Sequence, residues 1–360
     1  MKIAIIAHSH YPIKQPFAGG LESHTFHLAQ QLQQAGHQVT LFAAAGSETT
    51  LPFIPFFQPT ATNDSIAEEE IVAYRERRYL SLMRVLKQGN YDLVHNNSLH
   101  YIPLKLASAL PMPMVTVLHT PPFESLVEGF KSSLTASHHR TIAVSKSAAK
   151  SWLNAIPNLK TQLIYNGVDT RLWLPTNQQQ KYAIWVGRIT PEKGLHLAIK
   201  AAQLANMPLK ICGPIYDAGY FSQAVQPLLS DQAVYLGNLG MQALARQVAQ
   251  AQVFVCTPCW DEPFGLVAAE ALSCGTPVAG FGRGALVEIV TPETGVLVPE
   301  DVEALAQAIA QTQPLSRKHC RQRAVERFSM AAMIQRYTDF YQTLVSDRVP
   351  FRTTRLPLVS

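Results

Sequence analysis

The stretch "WDEPFGLVAAEAL", residues 260–272, holds two glutamates, Glu262 and Glu270, with seven residues between them. The segment around them is otherwise apolar, so a carboxylate inside it needs a polar partner. A carboxylate accepts hydrogen bonds from a vicinal diol, and two of them can hold two separate sets of hydroxyls. The opposite charge stands in "VGRITPEKGL", where Arg188 and Lys193 flank a turn. Pro191 suits a first helical turn, with Thr190 as the expected N-cap. Two cations beside a helix N-terminus suit a diphosphate. The competing reading, two solvated surface cations, is disfavoured by their position after a strand-like run. One ligand with two diols joined by a diphosphate satisfies both acids and both cations: a nucleotide sugar.

Other candidates are less specific. Gly19 and Gly20 in "FAGGLES" precede a helical pattern, where backbone amides can approach an anion. A plain turn explains them equally well. His119 ends the run "MVTVLH" and is expected at a cleft, with a satisfied core histidine as the alternative. His95 and His100 in "HNNSLHY" also lie near a strand end. No carboxylate spacing around them makes a metal site, and no Asp-x-Asp stands ready for a divalent cation. The lone "CTPC", Cys256 and Cys259, reads as small residues at a strand end rather than a metal or redox pair. The basic stretch Tyr74–Lys87 reads first as a solvated helix face, with weak contact to an anionic membrane as the competing reading.

These residues need a scaffold. Short apolar runs alternate with helical patterns: "KIAIIAH", "QVTLFAA", "YDLVHNN", "MVTVLHT", "TIAVS" and "TQLIYNGV", then "YAIWVGRI", "LKICG", "AVYLG", "QVFVCTP", "PVAGF" and "GVLVP". Strand, helix, strand in series predicts parallel sheets covered on both faces. The pattern lapses around "NGVDTRLWLPTNQQQK", which reads as a linker between two α/β units. The expected fold is α/β, with two Rossmann-like doubly wound domains facing a central cleft. Their boundaries are expected at 1–168 and 169–328. Residues 329–360 form a last helix and a Pro-punctuated tail. Ligands of such sheets bind at the strands' carboxyl ends, where the candidate residues fall.

Composition bounds the function. The chain has 360 residues, 47% of them hydrophobic, which is enough for two packed domains. Net charge is +5, too mild and too dispersed to argue for nucleic acid. Five cysteines in a long chain suggest reduced thiols. The apolar run at the start is too short for a signal peptide, and no run of about 18 apolar residues predicts a membrane span. A cytoplasmic protein is expected.

In the order of "GGLESHTFHLAQQLQQAGHQVTLFA", "VGRITPEKG", "EPFGLVAAEALSCGTPV" and "FSMAAMIQRYTDFYQTL", the chain resembles glycosyltransferase family 4, the retaining GT-B enzymes. The resemblance covers nearly the whole chain. It implies hexosyl transfer with retention and without metal or other cofactor, from a nucleoside-diphosphate sugar to an unidentified acceptor. A uridine donor is weakly preferred. It implies that Arg188 and Lys193 hold the diphosphate, which Gly20 approaches, and that Glu270 holds the ribose. Glu262 and the amides of Phe264, Gly265 and Leu266 would hold the transferred sugar, with His119 near its 6-hydroxyl. The last helix would cross back to the first domain. Where the family often has two adjacent glycines, this chain has "GRG", so Glu288 receives no role. A nucleotide-sugar epimerase of the same architecture is the competing class; a dinucleotide oxidoreductase lacks its glycine fingerprint after the first strand.

Overall fold

The computed structural model describes residues 1–48, 52–58, 67–134 and 136–346. The Pro-punctuated tail of the sequence reading lies outside them. Seven strands form one sheet: β1 Lys2–Ile6, β2 Gln38–Ala44, β3 Phe53–Phe57, β4 Leu93–Asn96, β5 Met114–Leu118, β6 His139–Ala143 and β7 Thr161–Leu163. Six form the other: β8 Ala183–Val186, β9 Leu209–Cys212, β10 Ala233–Tyr235, β11 Val253–Cys256, β12 Val278–Phe281 and β13 Gly295–Val298. The orders are β3-β2-β1-β4-β5-β6-β7 and β10-β9-β8-β11-β12-β13. Every pairing between these strands is parallel. The two-domain α/β architecture expected from the alternation is present. Both sheets reverse direction beside their first strand, and that reversal opens a crevice at the carboxyl ends.

The continuous apolar runs follow from burial on both faces. In β1, Ile3 and Ile5 pack with Leu28 and Leu32 on one face, while Ala4 and Ile6 pack with Phe42, Tyr79 and Leu82 on the other. Helix Gly20–Gln34 stops at Ala35, and Gly36 follows at φ +86°. The sequence reading names no strand at "FIPFF", yet β3 is there, paired to β2 alone. Pro55 is tolerated because this is the sheet edge.

The basic stretch lies on helix Glu68–Gln88. Arg78 donates to the Phe56 carbonyl at 2.8 Å and lies over the Phe56 ring. Arg75 bonds His10 Nε2 at 2.8 Å. Arg77, Arg84 and Lys87 are exposed. No helix among the described residues is long and apolar enough to cross a membrane.

The last helix, Met330–Ser346, lies against the first unit although it follows the second in sequence. Tyr341 reaches His95, and Val168 pairs with Ser329 where the two chain crossings run side by side. Val168 donates to the Phe328 carbonyl and accepts from the Met330 amide, at 2.8 and 2.9 Å.

Candidate active site

The loop between β11 and helix Leu266–Ser273 carries Glu262, and the loop after β8 carries Arg188 and Lys193. The two loops are laced together. Cys259 donates its amide to the Glu192 carbonyl at 2.8 Å, and the Thr257 hydroxyl donates to the Lys193 carbonyl at 3.0 Å. Gly194, at φ +64°, lies so close that a Cβ there would sit 2.3 Å from the Thr257 carbonyl oxygen. One expectation fails here. Thr190 makes no cap bond, and its buried hydroxyl has no partner among the described residues. Pro191–Lys193 is a single 3₁₀ turn, and the α-helix starts only at Leu195. The left-handed Gly194 breaks one helix from the other, which the Pro-based reading does not anticipate.

Lys193 and Glu262 do come together, but on each other. The ammonium pairs with the Glu262 carboxylate and lies 5.3 Å from the Trp260 ring centre, while Trp260 Nε1 donates to the same carboxylate at 3.0 Å. Both charged side chains keep about 20% exposure. A pair this wet is held weakly enough to exchange partners. Arg188 makes no ion pair among the described residues and stacks on Tyr216, 5.1 Å from the ring centre. Tyr216 in turn meets Tyr11 of the first unit, hydroxyl to hydroxyl at 2.6 Å.

Glu270 is the fifth residue of helix Leu266–Ser273. Its carboxyl is half-buried and bonds to no described residue. Burial pushes it up to about 8. An acid kept partly neutral by a dry surrounding, with no partner, is a place for a ligand's hydroxyls. Gly265 precedes the helix at φ +87°. The amides of Phe264, Gly265 and Leu266 donate to no described acceptor, as expected of a free helix start. The Phe264 ring itself is core, edge-on to Phe328.

The departure at "GRG" has a local purpose. Gly284 sits at φ +54°, and a Cβ there would stand 2.4 Å from the Glu262 amide nitrogen. The Ala285 amide bonds the Glu262 carbonyl at 2.9 Å. Gly284 thus lets one backbone lie on another and holds the Glu262 loop from behind. Glu288, left without a role by the sequence, accepts from the Lys146 and Ser147 amides at 2.9 and 2.7 Å and from the Tyr165 hydroxyl at 3.0 Å. A second-domain carboxylate therefore caps a first-domain helix.

On the first unit, Gly20 opens its helix, and a Cβ there would stand 3.3 Å from Leu266 Cδ1 of the second unit. His119 follows β5 and donates from Nε2 to Asn97 Oδ1, 3.0 Å away. Its ring meets that of His24 edge-on at 4.7 Å. Burial and the neighbouring His95 push it down to about 3, so the ring is neutral. His95 is wholly buried between Tyr341 and Asn97, and His100 accepts from the Ile102 amide. Both serve the scaffold. Cys256 and Cys259 are free thiols, pushed up to about 12 and about 11 chiefly by burial.

The sequence reading overlooks Glu22, Asn97 and Tyr216. Glu22 is 5% exposed in the first helical turn, 3.8 Å from His8 Nδ1. It is a buried carboxylate of the first domain. Its spacing two residues after Gly20 was the available signal.

Two doubly wound domains with acids, cations and free amides at their facing switch points define the GT-B class. The first half matches the model of Glycosyltransferase Family 4 over residues 18–172, and the second that of Glycosyl transferases group 1 over residues 173–327. The chain belongs to this glycosyltransferase family. D-inositol 3-phosphate glycosyltransferase of Mycobacteroides abscessus is 27% identical over 352 residues, covering 83% of this chain and 78% of the relative. Among solved structures, sucrose-phosphate synthase from Thermosynechococcus elongatus superposes with a TM-score of 0.80 at 23% identity, over 96% of this chain and 99% of the other. Anabaena HepE in complex with UDP-glucose superposes at 0.74 and 20% identity, over 95% and 100%.

Proposed function

We propose that this glycosyltransferase moves a hexose from a UDP-sugar to an acceptor hydroxyl, with retention and without metal. The observation that carries this reading is Glu270: a half-buried carboxyl with no partner among the described residues, one helical turn beyond free amides and the Lys193–Glu262 pair. Glu270 accepts from the ribose diol. The arriving diphosphate takes Lys193 from Glu262 and meets Arg188, and the freed Glu262 carboxylate accepts from the sugar's hydroxyls. As the bond to the sugar breaks, negative charge grows on the diphosphate, and Arg188, Lys193 and the amides of the Gly265 turn counter it. His119 faces the sugar from the first domain. The solved likeness holding UDP-glucose supports a uridine donor.

The test is release of nucleoside diphosphate from a panel of UDP-, GDP- and ADP-hexoses, with and without EDTA, and NMR of the product's anomeric proton. Turnover of UDP-hexose unaffected by EDTA, with retained configuration, is the expected result. Turnover that requires a metal, or an inverted product, overturns that part of the reading. Turnover of other nucleotides only overturns the uridine assignment.

A further inference from the structure

A chain of buried hydrogen bonds runs from the last helix to the cleft. The Tyr341 hydroxyl stands 2.6 Å from His95 Nδ1, His95 Nε2 stands 2.9 Å from Asn97 Oδ1, and His119 Nε2 stands 3.0 Å from the same oxygen. Asn97 Nδ2 donates to Thr25 Oγ1 at 3.1 Å. In this arrangement the Asn97 amide nitrogen faces Thr25 and its oxygen faces both imidazoles, and an amide oxygen only accepts. Both Nε2 atoms must then carry protons. His95 Nδ1 is left to accept from Tyr341. His119 Nδ1 is left with a bare lone pair, bonded to no described residue and not sealed from solvent.

We propose that Asn97 is a positioning residue: it locks His119 as a hydrogen-bond acceptor toward the donor sugar, and so selects sugars that present a hydroxyl there over sugars that present a carboxylate. The proposal rests on His119 facing the sugar. A hydroxyl donates to the lone pair. A carboxylate has no proton to give and meets repulsion. Protonating Nδ1 would relieve that repulsion, but the ring's surroundings oppose a charge. His24 from the helix Gly20–Gln34 and His95 from β4 face it, with Tyr337 and Tyr341 of the last helix behind them. None of these is an anion that would favour an imidazolium. His24 is buried with both ring nitrogens unpartnered among the described residues, so the packing admits the ring without supplying a bond.

The first test needs no substrate. Nitrogen-15 NMR of the full chain with labelled histidine, the His119 signal identified by its loss in His119→Gln, is expected to show His119 as the Nε2–H tautomer. The Nδ1–H tautomer overturns the proposal. Asn97→Asp keeps an acceptor and adds a charge, so the His119 titration should move to higher pH; an unmoved titration counts against direct coupling. Asn97→Leu should lower kcat/KM for a UDP-hexose about tenfold, the loss of roughly one ordinary hydrogen bond's orientation. It should change little for the matching UDP-6-deoxyhexose, which has no hydroxyl to place. An equal loss on both donors makes Asn97 a scaffold residue and overturns the positioning role. Wild type that uses a UDP-hexuronate as well as the hexose overturns the selectivity. If no UDP-hexose is turned over at all, the donor reading falls and takes the selectivity with it, while the tautomer still stands or falls on the NMR.

Discussion

Glu270 is an acid in surroundings that favour its neutral form, and this has a measurable sign. Its folded value of about 8 lies above the ordinary value of 4.5. Between those values the folded chain holds a proton that the unfolded chain has lost, so this residue's contribution is full below pH 4.5 and fades as pH rises through 8. The free protein is therefore expected to lose thermal stability between pH 5 and pH 8, and Glu270→Gln to flatten that slope; a slope unchanged in the variant places its origin elsewhere. With its carboxyl largely neutral at pH 7, Glu270→Ala should weaken nucleoside-diphosphate binding by about 0.5–1.5 kcal/mol, the usual worth of a neutral hydrogen bond, measurable by calorimetry on the folded variant. Glu270 was legible in the sequence because a lone polar residue on an apolar helix demands a partner. Asn97 was not. Its work depends on His119 and Thr25, and no spacing along the chain announces a hydrogen bond to a residue 72 positions away.

At the scale of elements, the strands themselves follow from the alternation of apolar runs with helical patterns, and nearly all of them were legible in that way, though their order within each sheet was not. The exceptions are instructive. The edge strand β3 escaped because Pro55 reads as a breaker unless the sheet edge is known. The turn at Pro191–Lys193 was read as a helix start because the left-handed bend at Gly194 is dictated by the neighbouring β11 loop rather than by its own sequence. Gly284 offers a direct test of such cross-loop support. Gly284→Ala forces a Cβ into the Glu262 backbone and asks for a left-handed alanine, a strain of about 1–3 kcal/mol. We expect a folded protein with a lower melting temperature, near-normal nucleoside-diphosphate affinity and poor donor turnover, because the displaced loop carries Glu262 rather than Glu270. Wild-type turnover in this variant would show that the Glu262 loop tolerates the shift.

At the scale of the molecule, polar side chains tie the two units together beside their shared apolar packing. Glu288 holds the first-domain helix at Lys146 and Ser147, and Tyr11 meets Tyr216. Glu288→Ala removes the acceptor of all three donors that converge on it. The two units are then expected to swing more widely, because interfaces of this kind set relative motion in two-domain chains; small-angle scattering of the ligand-free variant should show a larger radius of gyration. Identical scattering would mean that the remaining contacts, among them Tyr11–Tyr216 and the crossings at Val168 and Ser329, set the relation of the units. None of this was legible in the sequence, since each bond joins residues that only the docking of two domains brings together. The return of the last helix has one more consequence, in the order of synthesis. Tyr337 and Tyr341 complete the packing around His95 and His24 of the first domain, yet they leave the ribosome after the whole second domain. The first domain to emerge is the last to be finished, and until residue 341 arrives His95 lacks its hydroxyl partner.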